Sequence, residues 1–144
     1  MNWGFLGAGL VMGIAAMGSA IGIGIAGQGA IGAWKRCYLN NKPAPFLLVV
    51  FAGAPLTQTI YGFLLMQSML GKVGGVDPVQ QIFYLGLGLA CGLAMCMSAI
   101  AQGKAGAAGS DALAETGKGF TNYIMVVGLC ETIALFSMVF GMIV

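Results

Sequence analysis

Four stretches of this chain are long, apolar and nearly free of charge, and they leave it few possible folds. Residues 3–34 run 32 positions without a charge, residues 43–71 run 29, and residues 78–103 run 26. Residues 119–144 run another 26 with a single charge, Glu131. About 20 apolar residues cross a bilayer core as a helix. Lipid offers no partner to a backbone that leaves its own hydrogen bonds unmade. Each stretch therefore predicts one spanning helix, and the fold class is an all-α membrane protein. The excess length implies tilt, or helices that project beyond the bilayer. Composition agrees. Only 7% of the residues are charged, against about 25% in soluble domains, too few to cover a water-facing surface. That excludes a soluble enzyme and a nucleic-acid binder, and the dispersed net charge of +2 offers no basic patch. Histidine is absent, which removes the commonest general base and metal ligand. Cys37, Cys91, Cys96 and Cys130 form no CxxC pair and read as small buried hydrophobes. No cleavable leader is expected, because the N-terminal apolar run has no basic flank and is too long.

Turn signals separate the spans: Asn40-Asn41-Lys42-Pro43, then Gly74-Gly75-Val76-Asp77-Pro78, then Thr116-Gly117-Lys118-Gly119. Lys35, Arg36 and Lys42 fall to loop one, Lys104 and Lys118 to loop three, and only Lys72 to loop two. The positive-inside rule then puts loops one and three in the cytoplasm, with loop two and both termini outside. Trp3, Trp34, Tyr38 and Tyr84 are expected near the interfaces.

The chain repeats itself. Shifted by 79, residues 6–27 overlay 85–106 with 12 identities in 22 positions, among them Gly7/Gly86, Gly9/Gly88, Ser19/Ser98 and Gly24/Gly103. Shifted by 73, Leu56, Thr59, Ile60 and Phe63 recur as Leu129, Thr132, Ile133 and Phe136. The unit is a two-helix hairpin used twice in the same orientation, residues 1–72 and then 73–144. Spans one and three are rich in glycine, which lets helix backbones approach closely in lipid. Spans two and four carry the bulky Phe46, Phe51, Phe63, Phe120, Phe136 and Phe140. A crowded inner ring of helices inside a wider outer ring would need this asymmetry. Gly22-Ile23-Gly24-Ile25-Ala26-Gly27 matches the dinucleotide fingerprint literally, but no strand precedes it and it lies within a span.

Glu131 is 12 residues past Gly119 and 13 before Val144, which puts it near mid-membrane at 1.5 Å per residue. An acid there costs roughly 2.5–3.5 kcal/mol on insertion scales and marks a functional site by default. The alternative is a protonated glutamate that pairs helices. Other polar groups converge on the same depth. Gln58 overlays Glu131 in the repeat. Gln102 and Glu131 are equidistant from the Thr116-Gly117 apex, and Gln58 and Ile23 from Asn40-Asn41. Thr57 adjoins Gln58, and Tyr61 lies on the same helix flank. Pro55 lacks an N–H and perturbs its helix, so carbonyls near Ala54 could turn toward a ligand. An all-oxygen cage with one negative charge suits a monovalent hard cation. Na⁺ is favoured, with H⁺ as the alternative, since a proton needs only the carboxylate and one acceptor.

These residues resemble the four-helix proteolipid (K or c) subunit family of V-type rotary ATPases. The likeness covers essentially the whole chain. It rests on the duplicated hairpin, Pro55-Leu56-Thr57-Gln58-Thr59-Ile60-Tyr61-Gly62, Ile100-Ala101-Gln102-Gly103-Lys104 and Glu131-Thr132, and it extends to the sodium-translocating bacterial branch. The resemblance implies a non-catalytic subunit of a bacterial cytoplasmic membrane, forming a closed ring of identical protomers with spans one and three inside. It implies one Na⁺ per protomer, held by Glu131, Gln58, Gln102, Thr57 and the Ala54 backbone carbonyl, with Tyr61 hydrogen-bonded to the glutamate. Ala54 stands where leucine is common and Leu56 where glycine is common. The implied partners are the other copies, a stator subunit with an essential arginine, a central stalk and membrane lipid. The competing readings are a proton-carrying ring, a small four-helix cation/proton transporter and a structural four-span protein without an ion site.

Overall fold

The computed structural model describes residues 2–144. Among these residues five helices form: α1 Trp3–Leu39, α2 Leu48–Gly53, α3 Thr57–Lys72, α4 Pro78–Thr116 and α5 Phe120–Ile143, with a 3₁₀ turn at Ala54–Leu56 joining α2 to α3. Together α2, the turn and α3 make one span, so four segments are long and apolar enough to cross a membrane. The ends follow local chemistry. Asn2 caps α1 by accepting from the N–H groups of Gly4 and Phe5 at 3.0 and 3.3 Å. Asp77 does the same for α4 at 2.8 and 2.9 Å, with Pro78 in the first helical turn. Gly117 closes α4 in the left-handed conformation at φ 66°.

The helices outrun the charge-free stretches. Lys35 and Arg36, expected in loop one, lie in α1, and Lys104, expected in loop three, lies inside α4. α1 runs on to Leu39 before Asn40, and α4 runs on to the left-handed Gly117, so the first charge does not mark where either helix stops. Lys104 is two residues from Gln102, about half a turn around the helix, so it is exposed whereas Gln102 is fully buried. Arg36 pairs with Asp111 across the ends of α1 and α4, the one ion pair among the described residues. Tyr84, in the second turn of α4, is 9% exposed and packs into the core with Val11, Leu65 and Met95. Span two starts later than Pro43, because the indole of Trp34 donates to the Pro45 carbonyl at 2.7 Å and holds that approach outside the helix.

α1 and α4 run side by side in the same direction. Gly7 meets Tyr84 and Gly88, Gly18 meets Cys96, Gly22 meets Ala99 and Gly103, and Gly29 meets Ala107. These offsets of 77 to 81 residues bracket the repeat shift of 79, so matching positions of the two hairpins lie at nearly the same depth. A Cβ at Gly7, Gly18, Gly22, Gly88 or Gly103 would collide with backbone of the opposite helix. The nucleotide-like string from Gly22 is therefore helix interior that lets α4 approach. The bulkier α2–α3 and α5 lie outside this pair, through Phe51, Leu48, Leu65 and Val127.

Two substitutions test this contact. Gly103→Val is expected to destabilise the detergent-solubilised protein by about 1–3 kcal/mol or abolish its folding. Gly71→Ala, where nothing lies within 4 Å, should change stability by less than about 1 kcal/mol. Thermal unfolding of both would check the difference. The fully buried Ser110 hydroxyl has no partner, so Ser110→Ala should be neutral or stabilising by up to about 1 kcal/mol in the same assay.

Candidate ion-binding site

Three helices deliver the polar residues to one place. On α4, Ser98 and Gln102 are four apart and share a face. On α5 the helix is unbroken through Cys130 and Glu131. On the second span, Pro55 cannot donate and the backbone tightens into the 3₁₀ turn, after which Thr57, Gln58 and Tyr61 follow on α3. The N–H of Thr59, displaced from regular helical pairing, donates to the Ser19 hydroxyl at 3.1 Å.

The side chains form a directed series of hydrogen bonds. The Tyr61 hydroxyl donates to Glu131 Oε1 at 2.5 Å. Gln102 Nε2 donates to Glu131 Oε2 and to the Val127 carbonyl, both at 3.1 Å. Gln58 Nε2 donates to Gln102 Oε1 at 2.8 Å and to Ser98 Oγ at 3.3 Å. Ser98 in turn donates to the Cys130 carbonyl at 2.6 Å. The Thr57 hydroxyl lies 3.1 Å from the Ala54 carbonyl and 3.2 Å from Gln58 Oε1, with one proton to share between them. Gln58 and Gln102 are fully buried, while Glu131 is partly buried.

Glu131 is the one acid at this level, and no cationic side chain pairs with it among the described residues. Donors reach both of its oxygens, an arrangement that suits an ionised, acceptor-only carboxylate. Beside the amide pair, the Ala54 carbonyl, Thr57 Oγ1 and Gln58 Oε1 form a run of neighbouring oxygens. The site thus pairs one negative charge with neutral oxygen ligands of the kind that hard cations take.

The structure brings together all six residues singled out from the sequence: Ala54, Thr57, Gln58, Tyr61, Gln102 and Glu131. It also adds Ser98, along with the carbonyls of Val127 and Cys130. A signal for Ser98 is present in the sequence, since Ser19/Ser98 is the one polar pair among the 12 identities at the shift of 79. Ile23 does not join Gln58. Residues 40–47 are not regular helix, so the two arms of that hairpin do not count equally from the apex, and Ser19 stands beside the Gln58–Thr59 level instead.

Comparison with known proteins bears on the family. Residues 85–144 match the family model for the C subunit of ATP synthase. The chain is 37% identical over 141 residues to an A-type ATP synthase subunit K of Methanocaldococcus jannaschii, covering 97% of this chain and 60% of that relative. It is 30% identical over 125 residues to a V-type sodium ATPase subunit K of Enterococcus hirae, covering 85% of this chain and 77% of the relative. The chain thus spans less than two thirds of the archaeal relative and more than three quarters of the Enterococcus one. With four spanning helices and a match that runs along nearly all of its length, the chain belongs to the proteolipid (K or c) subunit family, the non-catalytic membrane subunits of V- and A-type rotary ATPases.

Proposed function

We propose that this chain is one protomer of a rotor ring and carries one Na⁺ across the membrane at Glu131. The observation that carries this reading is the hydrogen-bonded series from Thr57 through Gln58 and Gln102 to Glu131. Glu131, Gln58, Gln102, Thr57 and the Ala54 carbonyl would supply oxygens to the ion, and Tyr61 would steady the carboxylate. A monovalent cation on one carboxylate leaves the site neutral, which lets it pass lipid at low electrostatic cost. Two amides and a hydroxyl are more than a proton requires. The name of the Enterococcus relative, a sodium ATPase subunit, supports the same ion. Moving one charge through 100 mV is worth about 2.3 kcal/mol, so ATP hydrolysed elsewhere in the complex could drive several ions per turn. The ring would turn past a stator arginine and couple through a central stalk. The basic end of α1, with the loops that carry Lys42 and Lys118, would face the cytoplasm.

The ring reading has support in the repeat. Ala105, Ala108, Gly109 and Ala112 line an open groove between α4 and α5 with Tyr123 and Val126. Their counterparts 79 residues earlier are Ala26, Gly29, Ala30 and Ala33, and these alanines are buried beneath the second hairpin. One surface is covered within the chain while its twin lines an open groove, so the first hairpin of a neighbouring copy is the natural occupant. The internal Gly7–Gly88 contact translates into Gly86 against the neighbour's Gly9, and Gly22–Gly103 into Ala101 against its Gly24. Gly9, Gly24 and Gly86 have nothing within 4 Å in the single chain.

Radiolabelled sodium should bind the purified oligomer at one ion per chain. Binding should vanish in Glu131→Gln and weaken about tenfold or more in Gln58→Leu and Gln102→Leu, the scale of a lost hydrogen bond to a charged site. Sodium should also slow carbodiimide modification of Glu131. Failure to slow it at a pH where the carboxylate is ionised would transfer the site to protons. Gly9→Leu should leave the single chain folded but reduce the mass of the detergent-solubilised oligomer. A full-sized oligomer in that variant would refute the register.

A further inference from the structure

We infer that Ser98 is a positioning residue of the ion site and fixes the orientation of the Gln58 side-chain amide. Ser98 is 4% exposed, so its hydroxyl is shielded from water. It has one proton, and that proton goes to the Cys130 carbonyl at 2.6 Å. Toward α3 the oxygen can only accept, and it accepts from Gln58 Nε2 at 3.3 Å. The other Gln58 N–H is taken by Gln102 Oε1. With both N–H groups engaged on the α4 side, the amide oxygen has one direction left, toward Thr57 and the Ala54 carbonyl. That is the direction in which an oxygen ligand rather than an N–H must point if Gln58 is to hold a cation. Ser98 also ties α4 to the α5 backbone one residue before Glu131, so a single hydroxyl links both sides of the site. Among the described residues its repeat mate Ser19 hydrogen-bonds only to the Thr59 N–H.

In Ser98→Ala, one Gln58 N–H and the Cys130 carbonyl each lose a partner in a dry environment. A buried group left without a partner is unfavourable, and the amide, now held on the α4 side by Gln102 Oε1 alone, tilts to reach another acceptor for its free N–H. That tilt takes the amide oxygen off the direction of Thr57 and the Ala54 carbonyl, where a cation needs it. Ser98→Thr keeps the hydroxyl and should keep the geometry.

The inference rests on the sodium reading only for its effect on affinity, so the test has two arms. The first is sodium-independent. The Gln58 side-chain amide resonances of the purified oligomer are followed by NMR and identified by their loss in Gln58→Leu. One N–H resonance should move in Ser98→Ala and return in Ser98→Thr. The second is radiolabelled sodium binding, which should weaken about tenfold in Ser98→Ala, recover in Ser98→Thr, and do so at unchanged oligomer mass. An unmoved resonance in Ser98→Ala overturns the inference. So does a moved resonance with unchanged sodium affinity, or a threonine variant that fails to rescue. A wild-type oligomer that bound no sodium would sink the sodium reading, while the amide resonance would still decide the role of Ser98.

Discussion

The arrangement depends on how closely two helix backbones can approach in a medium that gives no hydrophobic reward for pairing. Lipid tails are as apolar as leucine, so α1 and α4 must gain from close van der Waals packing. Gly7, Gly18, Gly22, Gly88 and Gly103 make that possible by presenting no Cβ at the contact. The contact fixes the two hairpins at a common depth, and that depth agreement carries Gln58 of one hairpin to Gln102 and Glu131 of the other. If the inner pair were pushed further apart, the 2.8 Å bond between the amides could not form.

Against that scaffold, Glu131 is the expensive element. A carboxylate near the middle of a span is unfavourable by a few kcal/mol. Here Tyr61 and Gln102 replace part of its lost hydration. They do not neutralise it, because both are uncharged. Lys104 is close along the helix axis yet exposed on another face of α4, and it forms no ion pair with the acid. A cation or a proton is the remaining way to balance the charge, and the neutral oxygens gathered beside the acid are what the transport proposal adds to that balance.

Much of this is legible in the sequence because two kinds of periodicity coincide. Charge-free stretches locate the spans, and the repeat shift of 79 anticipates the offset at which α1 meets α4. The equal arms on either side of Thr116-Gly117 anticipate the Gln102–Glu131 bond, since the turn between α4 and α5 is short and both arms are regular helix. The same counting fails at Ile23, because residues 40–47 are irregular and break the arithmetic. Charge marks the end of a span poorly at Lys104, because a long inner helix can carry a charge on an exposed face. Ser98 is hard to single out from sequence alone, since a serine among glycines and alanines looks like one more small residue until its neighbours are known.

The duplicated hairpin has not kept its two halves alike. Pro55 occupies the position that Gly128 holds in the second half, so one outer helix is broken by a 3₁₀ turn and the other is continuous. The broken one gave up regularity and offers an amide and a hydroxyl; the continuous one is unbroken and bears the acid. This is a division of labour between descendants of a single ancestral unit. It relieves either helix of having to bend its backbone and hold a charge at the same point, and it means that neither half could serve alone in place of the other.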